Sequence, residues 1–167
     1  MRSLFNTELK TKRLLDEAAI ENFLPLEWRV REDKAGRKIK QLTPLVSNLI
    51  FVHASGDELS PLLADNSKFQ HIYRRGGSQH EPIVVPKRQM SDFIRAVNSS
   101  DRPIYLSPAE LPVFKPGQRI SIIGGTLDGV EGRIAKVRGA RSRRLVVEIP
   151  GLLAAAVEID PASVRFM

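Results

Sequence analysis

Apolar positions in the first hundred residues follow two rhythms. Leu9, Leu15, Ala18 and Ala19 share one stripe at helical spacing with Leu14 at its edge, which predicts a helix over 6–19. Asn6 or Thr7 can cap its free N–H groups, and Glu8 suits the positive end of its dipole. From Ile20 to Val30 the rhythm shortens. Phe23, Leu24, Trp28 and Val30 favour a strand, while Pro25 restricts its middle to an edge or a bulge. Asp33-Lys34-Ala35-Gly36 is turn chemistry, and Ile39–His53 reads as the returning strand. Its last part, Leu49-Ile50-Phe51-Val52, is continuously apolar and so is expected to be buried on both faces. Residues 20–53 therefore predict a long hairpin with a charged tip.

A short helix is expected over 57–65 on the spacing of Leu59, Leu62 and Leu63, then strands at Phe69–Tyr73 and Ile83–Val85 around a Gly76-Gly77 turn. Pro86 suits the start of a helix that turns Met90, Phe93, Ile94 and Val97 inward and Lys87, Arg88, Asp92 and Arg95 to solvent. After Ser99 the texture changes to Pro103, Pro108, Pro112 and Pro116, which marks a linker. Beyond it, β-branched runs at Arg119–Ile123, Val130–Val137, Leu145–Ile149 and Ala156–Ile159 alternate with glycine turns. Strands that short must curl to hide their edges, so a small barrel is expected. The pattern gives an α+β domain over 1–100, a Pro-containing linker over 101–113 and a β-barrel over 114–167.

Composition narrows the function. With 26 Lys/Arg against 19 Asp/Glu in 167 residues, the net charge is +7, which points to nucleic acid or an acidic protein surface as a partner, or else to a basic protein kept soluble by its charge. Residues 1–108 hold 17 Lys/Arg against 13 Asp/Glu and residues 109–167 hold 9 against 6, so both parts are basic and there is no basic tail. The chain has no cysteine, which excludes disulfides and thiolate metal sites and fits a cytoplasmic protein. No apolar run approaches the ~20 residues of a membrane span. His53, His71 and His80 lack metal-ligand spacing, Asp16-Glu17 is a helix face, and no nucleophile elbow or phosphate loop is present. Neither an enzyme nor a cofactor is expected.

The second module carries the most distinctive text. Phe114-Lys115-Pro116-Gly117-Gln118-Arg119-Ile120 leads into Ile122-Ile123-Gly124-Gly125-Thr126-Leu127-Asp128-Gly129-Val130-Glu131-Gly132-Arg133-Ile134. This resembles the KOW motif, in which Gly117, Gly125, Gly129 and Gly132 would allow tight turns and close packing at barrel corners. Gly36-Arg37-Lys38, Pro44, Asn48-Leu49-Ile50-Phe51-Val52 and Ile83-Val84-Val85-Pro86 are similar to the N-terminal domain of the NusG family. The resemblance spans essentially the whole chain and is nearest to the specialised antiterminators of the RfaH and UpxY type. It implies a ferredoxin-like N-terminal (NGN) domain followed by a small SH3-like KOW barrel.

The same resemblance implies function. The first domain would dock on the clamp helices of RNA polymerase through Phe23, Leu24, Leu49 and Phe51, although plain core packing explains these residues as well. Bridging the clamp would suppress pausing or termination. The second domain would recruit a ribosomal protein or a termination factor, and the protein would act as a monomer. The rival reading is an RNA-binding or ribosome-associated KOW protein. Three departures from the family stand out. Its usual first strand, with Trp-Tyr, is mostly missing before the first helix; Leu127 replaces an aromatic; and Ser60-Pro61-Leu62 stands where RfaH has a polar His-Thr-Thr element.

Two basic clusters invite a nucleic-acid reading, each balanced by that of a solvated hairpin. Arg29, Arg31, Lys34, Arg37, Lys38 and Lys40, opposed by Glu32 and Asp33, could follow the phosphates of upstream or non-template DNA. Arg74-Arg75 and Lys87-Arg88 are weaker candidates for that role. Arg138, Arg141, Arg143 and Arg144 crowd a turn of the barrel. Finally, Leu152-Leu153-Ala154-Ala155-Ala156 is helix-prone where a strand is expected, which raises the idea of a refolding barrel like that of RfaH.

Overall fold

The structure is a computed structural model that describes residues 1–4, 6–65, 69–73, 81–100, 103–107, 109–110, 117–136 and 143–167. The chain divides into two compact units, Met1–Ile83 and Val84–Met167.

In the first unit, strands β1 (Arg2–Ser3), β2 (Glu21–Phe23), β3 (Leu26–Glu32), β4 (Lys38–Pro44), β5 (Phe51–His53) and β6 (Phe69–Gln70) accompany helices α1 (Glu8–Glu17) and α2 (Gly56–Asp65). β1 pairs antiparallel with β6, and β2 with β5. The two pairs join through β1. Ser3 N–H donates to the Asn48 carbonyl at 3.2 Å, and Ile50 N–H donates to the Met1 carbonyl at 3.1 Å. The Met1 ammonium donates to the Ile50 carbonyl at 2.7 Å, and its burial lowers its pKa to about 6. The strand order is thus β6-β1-β5-β2 in a β-α-β-β-α-β sequence, which is the ferredoxin-like arrangement. The first strand is only the two residues Arg2–Ser3, and the chain at Met1–Ser3 is hydrogen-bonded on both sides.

The core explains the placement of the helices. Leu15, Leu24, Ile50 and Phe69 form a buried cluster, with Leu9 and Leu14 of α1 and Leu62 and Leu63 of α2 packed against it. Ala18 and Ala19 are exposed and lie past the end of α1, so the expected stripe is one turn too long. Buried Glu8 does more than complement a dipole: its carboxylate accepts the Asn48 N–H at 2.9 Å and fastens α1 to the entry of β5. Ser55 and Glu58 form a capping box at the start of α2. The Ser55 N–H and hydroxyl both donate to Glu58, and they hold its carboxyl below the usual range. Pro25 divides the expected single strand into β2 and β3. Ile83–Val85 does not form the expected strand; among the described residues Tyr73 and Pro82 form an isolated bridge, and the Ile83 N–H donates to the Ile72 carbonyl at 2.7 Å. The Gly76-Gly77 turn lies outside the described residues.

Helix α1 ends on a strained residue. Ala19 has φ +55°, and the Ile20 N–H closes the turn onto the Leu15 carbonyl at 2.9 Å. This geometry normally takes glycine, because a Cβ in the left-handed region costs about 1–2 kcal/mol. Ala19→Gly relieves that strain but raises unfolded-chain entropy, so a net gain of up to about 1 kcal/mol is expected. Urea denaturation of the two proteins measures it; an unchanged or lower midpoint would show that this turn is not left-handed.

The second unit contains helix α3 (Lys87–Asn98) and strands β7 (Ile104–Leu106), β8 (Arg119–Ile122), β9 (Glu131–Lys136), β10 (Arg143–Ile149), β11 (Leu153–Glu158) and β12 (Val164–Phe166). They form one antiparallel sheet in the order β12-β8-β9-β10-β11-β7. The Pro-rich connection therefore contributes a strand, with Ile104, Tyr105 and Leu106 opposite Ala156, Ala155 and Ala154. The helix-prone Leu152–Ala156 run lies largely in β11, where Leu153 and the three alanines are fully buried.

Helix α3 rests on this sheet and on the turn at Gly125–Leu127. Phe93, Ala96 and Val97 are buried, and the Phe93 and Tyr105 rings lie 6.5 Å apart. The polar face, expected in solvent, is put to use. The Arg95 guanidinium donates to the carbonyls of Thr126 (2.8 Å) and Asp128 (2.9 Å). Arg88 meets Glu131 at 2.5 Å, and Gln89 donates to the Glu148 carbonyl at 3.1 Å. Desolvation raises the pKa of Asp92.

Candidate functional surfaces

The four apolar residues expected at a docking surface are not equivalent. Phe23 and Phe51 face each other across β2 and β5, with ring centroids 6.4 Å apart. Leu24 belongs to the core cluster with Leu15, Ile50 and Phe69. Leu49 and Phe51 are also buried, which leaves half-buried Phe23 as the one member with surface to offer. The continuous apolar run that marked Leu49 and Phe51 is the mark of a strand covered on both faces.

The β3–β4 ribbon separates the six basic candidates by side. Its register sets Leu26, Trp28, Val30 and Glu32 opposite Pro44, Leu42, Lys40 and Lys38. Because directly opposed residues share a face, Lys38 and Lys40 lie on the side of Trp28 and Val30, and Arg29 and Arg31 lie on the other with Ile39. Two of the arginines are held by carboxylates: Arg29 pairs with Glu27, and the Arg37 Nε donates to Asp33 at 2.9 Å. Asp33 also accepts the backbone N–H groups of Ala35 (2.8 Å) and Arg37 (2.9 Å). The Arg37 backbone bond is the main reason its carboxyl lies below the usual range. Asp33 therefore builds the turn more than it opposes the cations. Arg31, Lys34, Lys38 and Lys40 form no ion pair among the described residues.

Trp28 is absent from the expected site, although it is central to the ribbon. It is 60% exposed, Val30 is 65% exposed, and the Lys40 ammonium sits 5.0 Å from the centre of the indole ring. The available signal was its alternation with Arg29 and Arg31, which puts a large aromatic on the face opposite them.

In the second unit the four motif glycines are structural, in two ways. Gly125 and Gly129 adopt φ +67° and +74° in open space. Gly117 and Gly132 instead lie against backbone: a Cβ would stand 1.6 Å from the Ile134 carbonyl oxygen and 2.5 Å from that of Val146, respectively. Arg144, taken as part of a basic turn, is buried and donates to Glu158 at 2.7 Å and to the Ala156 carbonyl at 3.4 Å. Arg143 is exposed, while Arg74, Arg75, Arg138 and Arg141 lie outside the described residues.

The histidines have ordinary surroundings. His53 pairs with Glu21 at 2.7 Å across β2 and β5, and His71 packs its ring 6.1 Å from Tyr73. His80 lies outside the described residues. Among the described residues no group of His, Asp and Glu could hold a metal, and no helix is long and apolar enough to cross a membrane. A groove of about 570 Å³ between α3 and the sheet is lined by Arg88, Arg119 and Arg133 against Asp92, Glu131 and Glu148, a balance that favours neither sign of ligand.

Comparison with curated proteins gives no match. Among solved structures, one titled "Domain interaction in Thermotoga maritima NusG" is similar at 18% identity and a TM-score of 0.46, over 99% of this chain and 94% of that one. A family model described as transcription termination factor nusG matches residues 2–111, and the β domain from Gly117 onward lies beyond that match. The matched segment covers the whole ferredoxin-like unit and well over half of the chain, and so this protein belongs to the NusG family of transcription factors.

Proposed function

We propose that this protein is an elongation and antitermination factor that binds RNA polymerase through its N-terminal unit. The family match over 2–111 carries the reading, and the complete ferredoxin-like sheet around β1 supports it. The clamp helices of the polymerase are the proposed docking site. Holding the clamp closed opposes pausing and termination without any catalytic group. Phe23 is the proposed apolar anchor, since it is only half-buried whereas Leu24, Leu49 and Phe51 are in the interior. The β3–β4 ribbon follows upstream or non-template DNA, and the KOW-like domain recruits a ribosomal protein or a termination factor. Placement with the RfaH and UpxY branch, action as a cytoplasmic monomer, and a functional boundary at 101–113 complete the proposal.

Capture of core RNA polymerase on the immobilised protein tests this. The parent is expected to retain polymerase, and Phe23→Ser to retain at least tenfold less while giving the parent's circular dichroism. Leu49→Asp and Phe51→Asp place a charge in the interior and are expected to unfold the N-terminal unit, so they cannot report on contact. Polymerase retained equally by folded Phe23→Ser would remove the proposed anchor. Failure of the parent to bind polymerase, with binding to ribosomes instead, would favour the ribosome-associated reading.

A further inference from the structure

Strand β3 has a free edge. The Asp33 N–H donates to the Arg37 carbonyl at 2.9 Å and the Leu45 N–H to the Pro25 carbonyl at 3.0 Å, which fixes the phase of the ribbon. Glu27, Arg29 and Arg31 therefore bond to β4, and the backbone groups of Leu26, Trp28, Val30 and Glu32 point away from it. Among the described residues β3 pairs with β4 and with no other strand. The outer edge of β4 belongs to Lys38, Lys40, Leu42 and Pro44, and its lysines and missing proline N–H are devices that blunt a free edge. β3 has neither. It offers a seven-residue edge on which the large apolar residues Trp28 and Val30 are exposed.

We infer that two copies of this chain pair through β3, antiparallel about a two-fold axis at Arg29, and join their ribbons into one four-stranded sheet. An edge of alternating N–H and C=O groups is matched by another extended polypeptide and not by a nucleic acid. The side chains select a second copy and its register. Centred on Arg29, every outward residue is paired, Trp28 lies opposite the partner's Val30, and Glu27 lies opposite the partner's Arg31. Arg31 forms no ion pair of its own among the described residues. Centring on Val30 would set Arg29 against Arg31, and centring on Trp28 would carry Glu32 past the break at Pro25. The like-charge contact that remains is Arg29 with its counterpart on the axis, and Glu27 neutralises each. A row of Leu42, Trp28, the partner's Val30 and the partner's Lys40 then crosses the sheet. A lone two-stranded ribbon has little stability, and four strands with an apolar face have more. Growth stops at the dimer, because the edges left outside are the two blunted β4 edges. The pairing is a property of the free protein and goes beyond the proposed function, in which one copy acts on polymerase.

Sedimentation of the full-length protein over a concentration series tests this without polymerase, so its failure and that of polymerase capture are independent. So short an interface is expected to dimerise at about 10⁻⁴ M. The outward amides of Trp28, Val30 and Glu32 should exchange at least tenfold more slowly as the dimer forms, while Arg29 and Arg31, already bonded to β4, change little. Glu27→Arg and Arg31→Glu each set like charges across the two strands and are expected to weaken the dimer about tenfold. Mixed in equal amounts, the two variants should pair with each other as tightly as the parent does, because each supplies the charge the other lacks. Val30→Pro removes an outward N–H but no bond of the ribbon, and it is expected to abolish the dimer while keeping the parent's circular dichroism. Three results would overturn the inference: a protein that stays monomeric at millimolar concentration, a dimer with unchanged exchange at the outward amides, or charge variants that pair no better mixed than alone. Protection of the same amides only on adding polymerase would also overturn it and would assign the edge to a polymerase strand.

Discussion

Gly117→Ala and Gly132→Ala are expected to destabilise the β domain more than Gly129→Ala does. All three positions belong to one motif, yet they act through different physics. At Gly132 an added Cβ would meet the Val146 carbonyl oxygen at 2.5 Å and Leu145 Cδ1 at 2.7 Å, and Leu145 is itself fully buried. At Gly117 the clash is with the Ile134 carbonyl oxygen at 1.6 Å, too close for a side-chain rotation to relieve. Backbone must move in both cases. Overpacking typically costs about 1–3 kcal/mol and sometimes more, and Gly117→Ala should lie above that range. Gly129→Ala meets nothing within 4 Å and pays only for a positive φ, about 1–2 kcal/mol. Guanidinium denaturation should rank the losses as Gly117, then Gly132, then Gly129. A Gly129→Ala loss equal to the other two would show that turn conformation, not close approach, explains the whole motif.

That contrast shows what a sequence discloses and what it withholds. The ordered glycines announced a small β domain because short alternating apolar runs flank them on both sides. They could not say which were needed for dihedral freedom and which for want of space, since the second depends on a strand distant in sequence. The apolar run Leu49–Val52 likewise announced a buried strand, and the ferredoxin-like order was implied by the resemblance to the NusG N-terminal domain and not by the pattern of elements. Whether Leu49 and Phe51 faced a partner or the interior was open until their neighbours were placed. β7 was hidden by the prolines around Ile104–Leu106, and β12 by its brevity. The basic hairpin was plain to read, but its useful aromatic was masked by counting charges and not faces.

The faces matter for how the ribbon would work. Arg29 is tied to Glu27 and Arg37 to Asp33, so the cations of highest count are partly spent on the ribbon itself. The remaining ones divide between two sides, with Lys38 and Lys40 beside Trp28 and Arg31 behind it. A ligand on one side thus meets an aromatic and two ammonium groups, whereas a ligand on the other meets chiefly guanidinium and no ring. Charge alone would treat the sides as interchangeable; the single tryptophan separates them.

Phe93→Ala is the other substitution expected to have a large effect, and it bears on where the second unit begins. Composition puts the boundary in the Pro-rich stretch after α3, yet α3 falls in the unit Val84–Met167, with Phe93 fully buried and Arg95 bonded to two turn carbonyls. Truncating a fully buried phenylalanine costs about 3–5 kcal/mol, a large part of the 5–15 kcal/mol that holds a typical domain. The loss should appear where Phe93 packs. Amide hydrogen exchange in the full-length protein locates it: Leu145 and Val147 of β10 and Ala155 of β11 are expected to exchange at least a hundredfold faster, with Asn22 of β2 and Val52 of β5 unchanged. This outcome makes α3 part of the folding unit of the β domain. Faster exchange in β2 and β5 alone would return α3 to the N-terminal domain and restore the boundary at 101–113 that the prolines suggest.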